Sequence, residues 1–318
     1  MYDIIVIGGG PAGLTAGIYA RRSNKTVLVI EKETFGGQIT FSPCVENIPG
    51  FTSLSGNEFA EKLTEQAIFQ GVEFEFGTVN HVEKAMVKLS EEAANEPEGK
   101  HSRFLVTTEE GGSFEGRSVI LATGAKHRKL GLPKEENFIG NGISFCAVCD
   151  GAFYKDQTVG VVGGGNSALV EAVLLADLVR KLYIFQDMPY LTADAKLVDS
   201  LMAHENVEVL TNCRVTGYAG EDEFSGVTVR TSDGTEKAFE LNGLFIAIGL
   251  VPQNEAFQAL VDLDGRGYAA SGEDTKTKTS GVFVAGDCRA KRIRQVTTAA
   301  ADGAVAAMQA VDFLEGRA

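Results

Sequence analysis

Two copies of one strand, turn, helix and strand pattern constrain the fold of this sequence more than any other feature. In each copy an apolar run ends in a glycine-rich turn, and a helical pattern and a second apolar run follow. Small residues at three turn positions let a pyrophosphate approach the backbone where the helix begins, and alanine is tolerated at the last of them. The sequence therefore predicts an α/β protein with two Rossmann-like, three-layer domains. The turns read Gly8-Gly9-Gly10-Pro11-Ala12-Gly13 and Gly163-Gly164-Gly165-Asn166-Ser167-Ala168.

The order of the strands predicts that the second domain is inserted into the first. The apolar strand 118–121 runs into Thr123-Gly124, and the similar strand 243–248 ends at Gly249. We interpret these segments as the two crossings between the domains. A late strand that ends in Gly286-Asp287, with a helix of small residues after it, would complete the first domain. We expect residues 1–125 and 252–318 to form one discontinuous domain and residues 126–251 to form the other.

A hairpin is predicted ahead of the first crossing. Residues 82–89 and 104–108 alternate like its two strands. Residues 90–103 join them and are rich in Glu, Ala, Asn, Pro and Gly. We interpret this join as a solvated surface insertion.

An acid follows the first turn at the position that selects a dinucleotide. Glu31 ends the second strand, 23 positions after Gly8, where a carboxylate accepts hydrogen bonds from an adenosine ribose. Asp287, at the end of a later strand, would direct a carboxylate toward the ribityl chain of a flavin. These acids favour FAD over NAD in the discontinuous domain. The alternative is a doubly wound domain with a tight turn and an incidental surface glutamate.

A pair of cysteines, Cys146 and Cys149, carries the chemistry of the inserted domain. Two cysteines separated by two residues at a helix start can close a small disulfide ring, and the helix N-terminus lowers the pKa of a thiol toward the thiolate that exchange requires. The adjacent Asp150 would protonate a leaving sulfur. Half of a zinc site is a competing interpretation, but no second Cys-x-x-Cys or paired histidine follows at ligand spacing, so we expect no metal. A pair of small residues in a core turn is the remaining alternative.

Composition and charge limit the other functions open to the chain. The 318 residues hold 29 Lys and Arg against 43 Asp and Glu, a net charge of −14, which disfavours binding to nucleic acid or to an anionic membrane. No apolar run approaches the roughly 18 residues of a membrane span, and the first residues show no signal-peptide pattern, so we expect a cytoplasmic protein. Five cysteines, an odd number, do not resemble a secreted disulfide framework. We expect Cys44, Cys213 and Cys288 to be buried apolar side chains.

Six motifs, in order along the chain, give the sequence a resemblance to the low-molecular-weight thioredoxin reductase family over essentially its whole length. This resemblance implies a homodimer that binds FAD in the discontinuous domain. It also implies that a dithiol on the inserted domain reduces thioredoxin or a thioredoxin-like protein. The motifs are Gly36-Gly37-Gln38, residues 45–50 (Val-Glu-Asn-Ile-Pro-Gly), residues 146–151 (Cys-Ala-Val-Cys-Asp-Gly), residues 163–168, residues 243–249 and Gly286-Asp287.

The same resemblance implies roles for individual residues. Cys149 would be the thiol next to the flavin, Cys146 the thiol that attacks the partner disulfide, and Asp150 the general acid and base. The residues expected around FAD are Gly8, Gly10, Pro11, Ala12, Gly13, Glu31, Gly37, Gln38, Asn47, Thr123, Gly124, Asp287, Arg294, Gln295 and Val296.

The second nucleotide turn lacks the cations that NADPH-dependent members of this family carry. Their His-Arg-Arg run and a further Arg correspond here to Gln186, Asp187, Met188 and Thr192, and Gln186 stands 23 positions after Gly163. A carboxylate in place of an arginine repels a 2′-phosphate, and each lost charged hydrogen bond is worth roughly 1.5 to 3 kcal/mol. We therefore expect a degenerate nucleotide site that does not bind NADPH tightly. Its residues are Gly163, Gly165, Ala168, Gln186, Asp187 and Met188.

Without a working nucleotide pocket, the chain is most similar to the ferredoxin-dependent flavin thioredoxin reductases, which do not use pyridine nucleotides. Ferredoxins are acidic, so we expect a locally basic docking surface. Three alternatives stay open: an NADH-dependent thioredoxin reductase, a dithiol oxidase that uses oxygen, and a flavin-binding redox sensor without turnover. The candidate basic clusters are residues 126–129 (Lys-His-Arg-Lys) and the group Arg289, Lys291, Arg292 and Arg294.

Overall fold

The structure is a computed structural model that describes residues 1–42, 45–85 and 96–317. Its strands are β1 (Tyr2–Ile7), β2 (Val27–Glu31), β3 (Glu73–Phe76), β4 (Val79–Lys84), β5 (Phe104–Thr108), β6 (Ser113–Leu121), β7 (Ala125–His127), β8 (Ile143–Ser144), β9 (Thr158–Val162), β10 (Lys181–Phe185), β11 (Val207–Leu210), β12 (Cys213–Ala219), β13 (Gly226–Thr231), β14 (Glu236–Glu240), β15 (Gly243–Ile246), β16 (Leu250–Pro252) and β17 (Val282–Val284). Its helices are α1 (Pro11–Arg22), α2 (Gly56–Phe69), α3 (Glu98–His101), α4 (Glu135–Phe138), α5 (Ala147–Asp150), α6 (Asn166–Ala176), α7 (Ala195–Met202) and α8 (Val296–Glu315).

The chain divides into two compact units. The first unit comprises Met1–Thr40, Leu54–Lys126 and Val251–Ala318, and the second comprises Phe41–Ser53 and His127–Leu250. The chain crosses between the units at β7 and at β16, and these two short strands pair with each other.

Both faces of the sheet in the first unit are covered. The strand order is β3-β2-β1-β6-β5-β4, and β17 pairs with the last residues of β6. Strands β3, β2, β1, β6 and β17 are parallel, whereas β5 pairs antiparallel with both β4 and β6. Ile4 and Val6 of β1 pack with residues of α1 and α8, and Ile5 and Ile7 pack on the opposite face in a cluster with Phe257, Leu260 and Val261. This double burial explains why β1 is an unbroken apolar run.

The second unit repeats this plan with a different cover. Its parallel sheet has the order β11-β10-β9-β15-β8. Val159 and Val161 of β9 pack with α6, whereas Leu244 and Ile246 of β15 pack with the antiparallel sheet β12-β13-β14. Two Rossmann-like, three-layer units therefore form, as the sequence predicted.

The division into units differs from the predicted domains at one segment. Phe41–Ser53 belongs with the second unit, although the sequence placed residues 1–125 together. The described residues of this segment form neither a long strand nor a long helix. Its sequence therefore has no periodic pattern that would indicate which unit it belongs to. The other predicted limits lie within one residue of the observed crossings.

The predicted hairpin has β5 as its second strand. Its first strand is observed as β4, Val79–Lys84, and the rest of the predicted strand, residues 86–89, lies outside the described residues. Within the predicted join, α3 forms a single helical turn, whereas residues 90–95 lie outside the described residues.

Candidate active site

The first glycine turn brings a strand, a helix and a neighbouring loop together without side chains between them. Gly8 has a φ of 109°, and a Cβ there would overlap the carbonyl oxygen of Ala122. A Cβ on Gly13 would overlap the carbonyl of Gly8, so Gly13 lets α1 pack on the turn. Around Gly10, by contrast, a Cβ would meet only the Gly36 carbonyl, at 3.9 Å. No side chain caps α1, so the backbone at its first turn can approach an anionic ligand.

Glu31 is held at this turn by two backbone hydrogen bonds. Its Oε2 accepts from the Gly9 N–H at 2.6 Å, and its Oε1 accepts from the Glu33 N–H at 2.8 Å. Each carboxylate oxygen has two lone pairs, so both oxygens keep acceptor capacity. This buried, fixed carboxylate fits the two hydroxyl donors of a ribose.

The end of β17 supplies a second carboxylate in the first unit. Asp287 Oδ1 is buried and has no hydrogen-bond partner among the described residues, and the Lys291 ammonium lies 3.7 Å away. Burial raises the pKa of Asp287, and the charges of Lys291 and Arg294 oppose that rise. A buried acceptor of this kind fits a hydroxyl-bearing chain such as the ribityl chain of FAD.

Apart from Asn47, the remaining predicted FAD contacts lie in the first unit, in loops or near the starts of helices. A Cβ on Gly286 would lie 2.9 Å from the Ala12 Cβ, and a Cβ on Gly37 would lie 3.2 Å from the Gly10 Cα. Arg294 stacks on the ring of Tyr268, 4.1 Å from its centroid. The others lie as follows: Gln38 is exposed in a 3-10 helix, Pro11 begins α1, Thr123 donates to the Asn254 side chain at 3.1 Å, Gly124 has a φ of 69°, Gln295 caps α8 and Val296 begins it.

Asn47 is the predicted FAD contact that the structure does not place in the first unit. It is exposed and lies in the segment Phe41–Ser53, which belongs with the second unit. Its assignment to the FAD site depends on the family resemblance alone, because the sequence of this segment has no strand or helix pattern.

The second glycine turn keeps the geometry of the first. Gly163 has a φ of 127°, and a Cβ there would lie 2.6 Å from the Ala247 carbonyl oxygen. Gly165 precedes α6, and Ala168 is fully buried beneath the turn. The difference lies in Gln186, whose side chain packs directly over Gly164 and donates to the Tyr190 carbonyl at 3.2 Å.

The loop after Gln186 folds back onto the turn and carries few positive charges. The Thr192 N–H donates to the Gly164 carbonyl at 2.8 Å, and Met188 is 40% exposed. Asp187 is paired with Arg214 at 3.4 Å, and both side chains are exposed. Sequence reasoning missed Arg214, because it lies on β12, 27 positions from Asp187. A phosphate at this point would meet a neutral pair instead of a cluster of cations.

The two active cysteines are joined by a disulfide bond at the start of α5. The Cys149 N–H donates to the Cys146 Sγ at 3.2 Å. A backbone donor in this position stabilises negative charge on the Cys146 sulfur once the disulfide is reduced. Because α5 is a single turn, this local donor and not a long helix dipole provides the stabilisation.

Asp150 is anchored beside the disulfide by Ser144. The Ser144 hydroxyl donates to Asp150 Oδ2 at 2.6 Å and accepts from the Cys146 N–H at 3.1 Å. Asp150 Oδ1 is buried without a hydrogen-bond partner among the described residues. Burial raises the pKa of Asp150, and the Ser144 hydrogen bond opposes the rise. Ser144 was not predicted, and its only sequence signal is a small polar residue two positions before Cys146.

The other cysteines are not part of the dithiol. Cys213 and Cys288 are buried, which confirms the prediction for both, and Cys44 lies outside the described residues. In residues 1–42, 45–85 and 96–317, no group of three or more His, Cys, Asp or Glu side chains is arranged to hold a metal ion. Nor does any helix in those ranges have the length and apolarity needed to cross a membrane.

Known proteins that are similar to this chain match it over nearly its whole length. Residues 2–303 match the model of the pyridine nucleotide-disulphide oxidoreductase family. A thioredoxin reductase of Listeria monocytogenes is 38% identical over 99% of this chain and 94% of its own length. A 34.2 kDa protein in the rubredoxin operon of Clostridium pasteurianum is 38% identical over 99% of this chain and 98% of its own length. The crystal structure of a thioredoxin reductase from Streptococcus pyogenes superposes with a TM-score of 0.88 at 36% identity, with 99% of each chain covered.

The family assignment agrees with the predicted cofactor. FAD is the cofactor of these proteins, and the buried Asp287 oxygen and the fixed Glu31 carboxylate are acceptors that such a molecule needs. The chain therefore belongs to the pyridine nucleotide-disulphide oxidoreductase family, as a thioredoxin reductase-like disulfide oxidoreductase.

Proposed function

We propose that this protein reduces the disulfide of thioredoxin or of a thioredoxin-like protein, and that its electrons come from reduced ferredoxin and not from NADPH. The observation that carries the first part is the Cys146–Cys149 disulfide with the buried carboxyl of Asp150 anchored beside it. Relatives that are named thioredoxin reductases support thioredoxin as the substrate.

The proposed chemistry assigns one task to each residue of the site. FAD, when bound, supplies the electron pair that opens the Cys146–Cys149 bond. Asp150 protonates the Cys149 sulfur as it leaves, and the Cys149 N–H stabilises the Cys146 thiolate. Cys146 then attacks the substrate disulfide to form a mixed disulfide, which Cys149 resolves. In the first unit, Glu31 and Asp287 would accept hydrogen bonds from the hydroxyl groups of the cofactor.

The donor proposal depends on the loop after β10. An NADPH pocket needs cations at a 2′-phosphate. Here the Gln186 side chain donates to the Tyr190 carbonyl of its own loop, and Asp187 pairs with Arg214.

The predicted docking clusters have less free positive charge than their sequence suggested. Lys126 pairs with Glu33, and Lys129 pairs with Glu136 at 2.6 Å. Burial lowers the pKa of His127 to about 4, so this side chain is neutral at physiological pH. In the first cluster, Arg128 is therefore the exposed cation that we expect to be available to a partner protein.

In the second cluster, a single acid pairs with two of the cations. Arg289 and Lys291 are largely buried and both pair with Asp302, at 2.8 and 2.9 Å. Arg294 donates to the Asp287 carbonyl and stacks on Tyr268. Arg292 is exposed, and we propose it as the main ferredoxin contact of this cluster. The homodimer and the individual FAD contacts are proposals that the family resemblance supports, and the cytoplasmic location is a further proposal.

Turnover of thioredoxin tests the proposed function. Holoenzyme, photoreduced ferredoxin and oxidised thioredoxin are mixed anaerobically, and the thioredoxin thiols formed are counted. We expect steady turnover, a loss of about 1,000-fold or more in Cys146→Ser and in Cys149→Ser, and normal turnover in the control Cys213→Ser. Turnover with NADH alone would favour the NADH-dependent alternative, and oxygen consumption with a dithiol substrate would favour the oxidase. If no donor supports thioredoxin turnover, the result would favour the alternative of a flavin-binding redox sensor.

A further inference from the structure

Glu171 places a second carboxyl group against the dithiol helix. It lies on α6, which packs against α5. Its carboxylate interacts with the backbone N–H of Ala147, the residue directly after Cys146. Its Oε2 atom is buried and has no hydrogen-bond partner among the described residues. Because an unpaired buried carboxylate oxygen costs stability, packing alone does not account for an acid at this position.

Glu171 and Asp150 titrate as a pair. Burial raises the pKa of Glu171 to about 7; the Ala147 backbone opposes this rise, and the charge of Asp150 adds to it. Strand β9, which carries no charged residue, also packs against α6, as do α7 (with Lys196 and Asp199) and β10 (with Lys181). The pKa of Glu171 is attributed to burial, Ala147 and Asp150. The negative charge of Asp150 therefore favours the protonated form of Glu171.

We propose that Glu171 is a positioning residue of the dithiol, which fixes the start of α5 and, through its own charge, sets how strongly Asp150 holds a proton. An ionised Glu171 makes Asp150 a stronger base, because two neighbouring carboxylates disfavour each other. The inference rests on the proposed exchange function of Cys146 and Cys149 and does not depend on the electron donor.

The step on which Glu171 acts is the resolution of the mixed disulfide. The Cys149 thiol gives its proton to Asp150 while its sulfur attacks the Cys146 sulfur. The Cys146–Cys149 bond forms, the bond between Cys146 and the target sulfur breaks, and the departing target sulfur takes that proton from the carboxyl pair. Electrons and protons balance, since one S–S bond replaces another and one thiol replaces another.

A single-turnover experiment isolates this step. The holoenzyme, with its dithiol reduced and excess reductant removed, is mixed with an aromatic disulfide, and release of the second aromatic thiol is followed from about pH 5 to pH 9. In the native protein we expect the rate to rise about fivefold or more through an ionisation near neutral pH. Glu171→Gln still accepts from Ala147 but cannot ionise, so it should lose this rise. Glu171→Asp should restore it at a shifted midpoint, and the exposed control Glu205→Gln should match the native protein.

The outcomes separate this proposal from the proposed function. If the native protein does not exchange with the disulfide at all, the proposed function fails. If it exchanges and Glu171→Gln keeps the same ionisation, only the role of Glu171 is overturned. A carboxyl NMR titration of the oxidised holoenzyme gives a second readout that does not require activity. The resonance missing in Glu171→Gln should titrate near pH 7, and a midpoint at the ordinary glutamate value would also overturn the proposal.

Discussion

The side-chain amide of Gln186 donates a hydrogen bond to the backbone carbonyl of Tyr190 at 3.2 Å. Glu31 holds the equivalent position at the first glycine turn, where its carboxylate instead accepts from the Gly9 N–H. The two turns have kept the same backbone geometry, including a positive φ at their first glycine, Gly8 or Gly163. The two turns differ in the groups available to a ribose. The first has the fixed carboxylate oxygens of Glu31 as acceptors, whereas at the second the Gln186 side chain is hydrogen-bonded within its own loop.

Restoring positive charge at this loop should create affinity for a 2′-phosphate. In Asp187→Arg, a cation replaces the acid and Arg214 loses its partner, so two cations become available. We expect the Kd for adenosine 2′,5′-bisphosphate to fall by about 10- to 100-fold, since a charged hydrogen bond is worth about 1.5 to 3 kcal/mol. Isothermal titration calorimetry measures it. The exposed control Asp222→Arg makes the same charge change on another loop and should not alter the Kd, and native affinity in the low micromolar range would contradict our interpretation of the pocket.

Glu31 should be needed both for the first turn and for the cofactor. Glu31→Ala leaves the N–H groups of Gly9 and Glu33 without their acceptor, which should lower the free energy of unfolding by about 1 to 3 kcal/mol. We also expect the purified variant to retain much less FAD than the native protein. Urea denaturation and the absorbance ratio of flavin to protein check both results. The exposed Glu33→Ala should retain its flavin; equal retention in Glu31→Ala would show that the cofactor does not contact this carboxylate.

Among the acidic residues of α8, Asp302 should be the one whose substitution lowers the free energy of unfolding most. Burial alone would raise its pKa, but hydrogen bonds from Arg289 and Lys291 outweigh burial and lower it. Asp302→Asn removes the carboxylate partner of Arg289 and leaves Lys291 with Asp287 at 3.7 Å. We expect a loss of about 3 to 5 kcal/mol in the free energy of unfolding. On the same helix, Asp312 pairs with Arg317 at an exposed site, so Asp312→Asn should cost less than about 1 kcal/mol. Similar urea midpoints for the two variants would show that the buried network does not stabilise the first unit.

The stability of the native protein should contain a component that decreases as the pH rises toward neutral. The pKa of Glu171 is raised from 4.5 to about 7 on folding. Between these values the unfolded chain has released a proton that the folded chain still holds, so rising pH favours unfolding. Glu171→Gln lacks this component. Relative to the native protein, its free energy of unfolding should be higher near pH 8 than near pH 4.5 by about 1 to 3 kcal/mol. Urea denaturation at both pH values measures the difference, and a decrease would contradict the sign.

The sequence predicted the parts of the fold that repeat locally. Strands β1, β2, β9 and β10 and the glycine turns belong to two strand, turn, helix and strand patterns, each about 30 residues long. Their strands were recognisable because buried parallel strands are continuous apolar runs. Segment Phe41–Ser53 was assigned to the wrong unit, because it has no periodic pattern and its placement depends on contacts distant in sequence.

The candidate site was predictable where a motif fixes both residue type and spacing. Cys146 and Cys149 are such a case, and the structure joins them in a disulfide. Ser144, Glu171 and Arg214 were not found. Their importance depends on which side chains they meet in the folded chain, and a lone serine, glutamate or arginine gives no signal in sequence. The partners of the basic clusters were missed for the same reason, because Asp302, which pairs with two of their cations, lies on a separate helix.

The electron donor is the central claim, and flavin reduction measures it directly. The oxidised holoenzyme is mixed anaerobically in a stopped-flow instrument with NADPH, NADH or photoreduced ferredoxin, and bleaching of the flavin absorbance is recorded. The loop of Gln186 and Asp187 predicts rapid bleaching by ferredoxin and little or none by NADPH, and Arg292→Glu should slow the ferredoxin reaction and weaken its salt dependence. Rapid bleaching by micromolar NADPH, with no response to ferredoxin, would contradict the account.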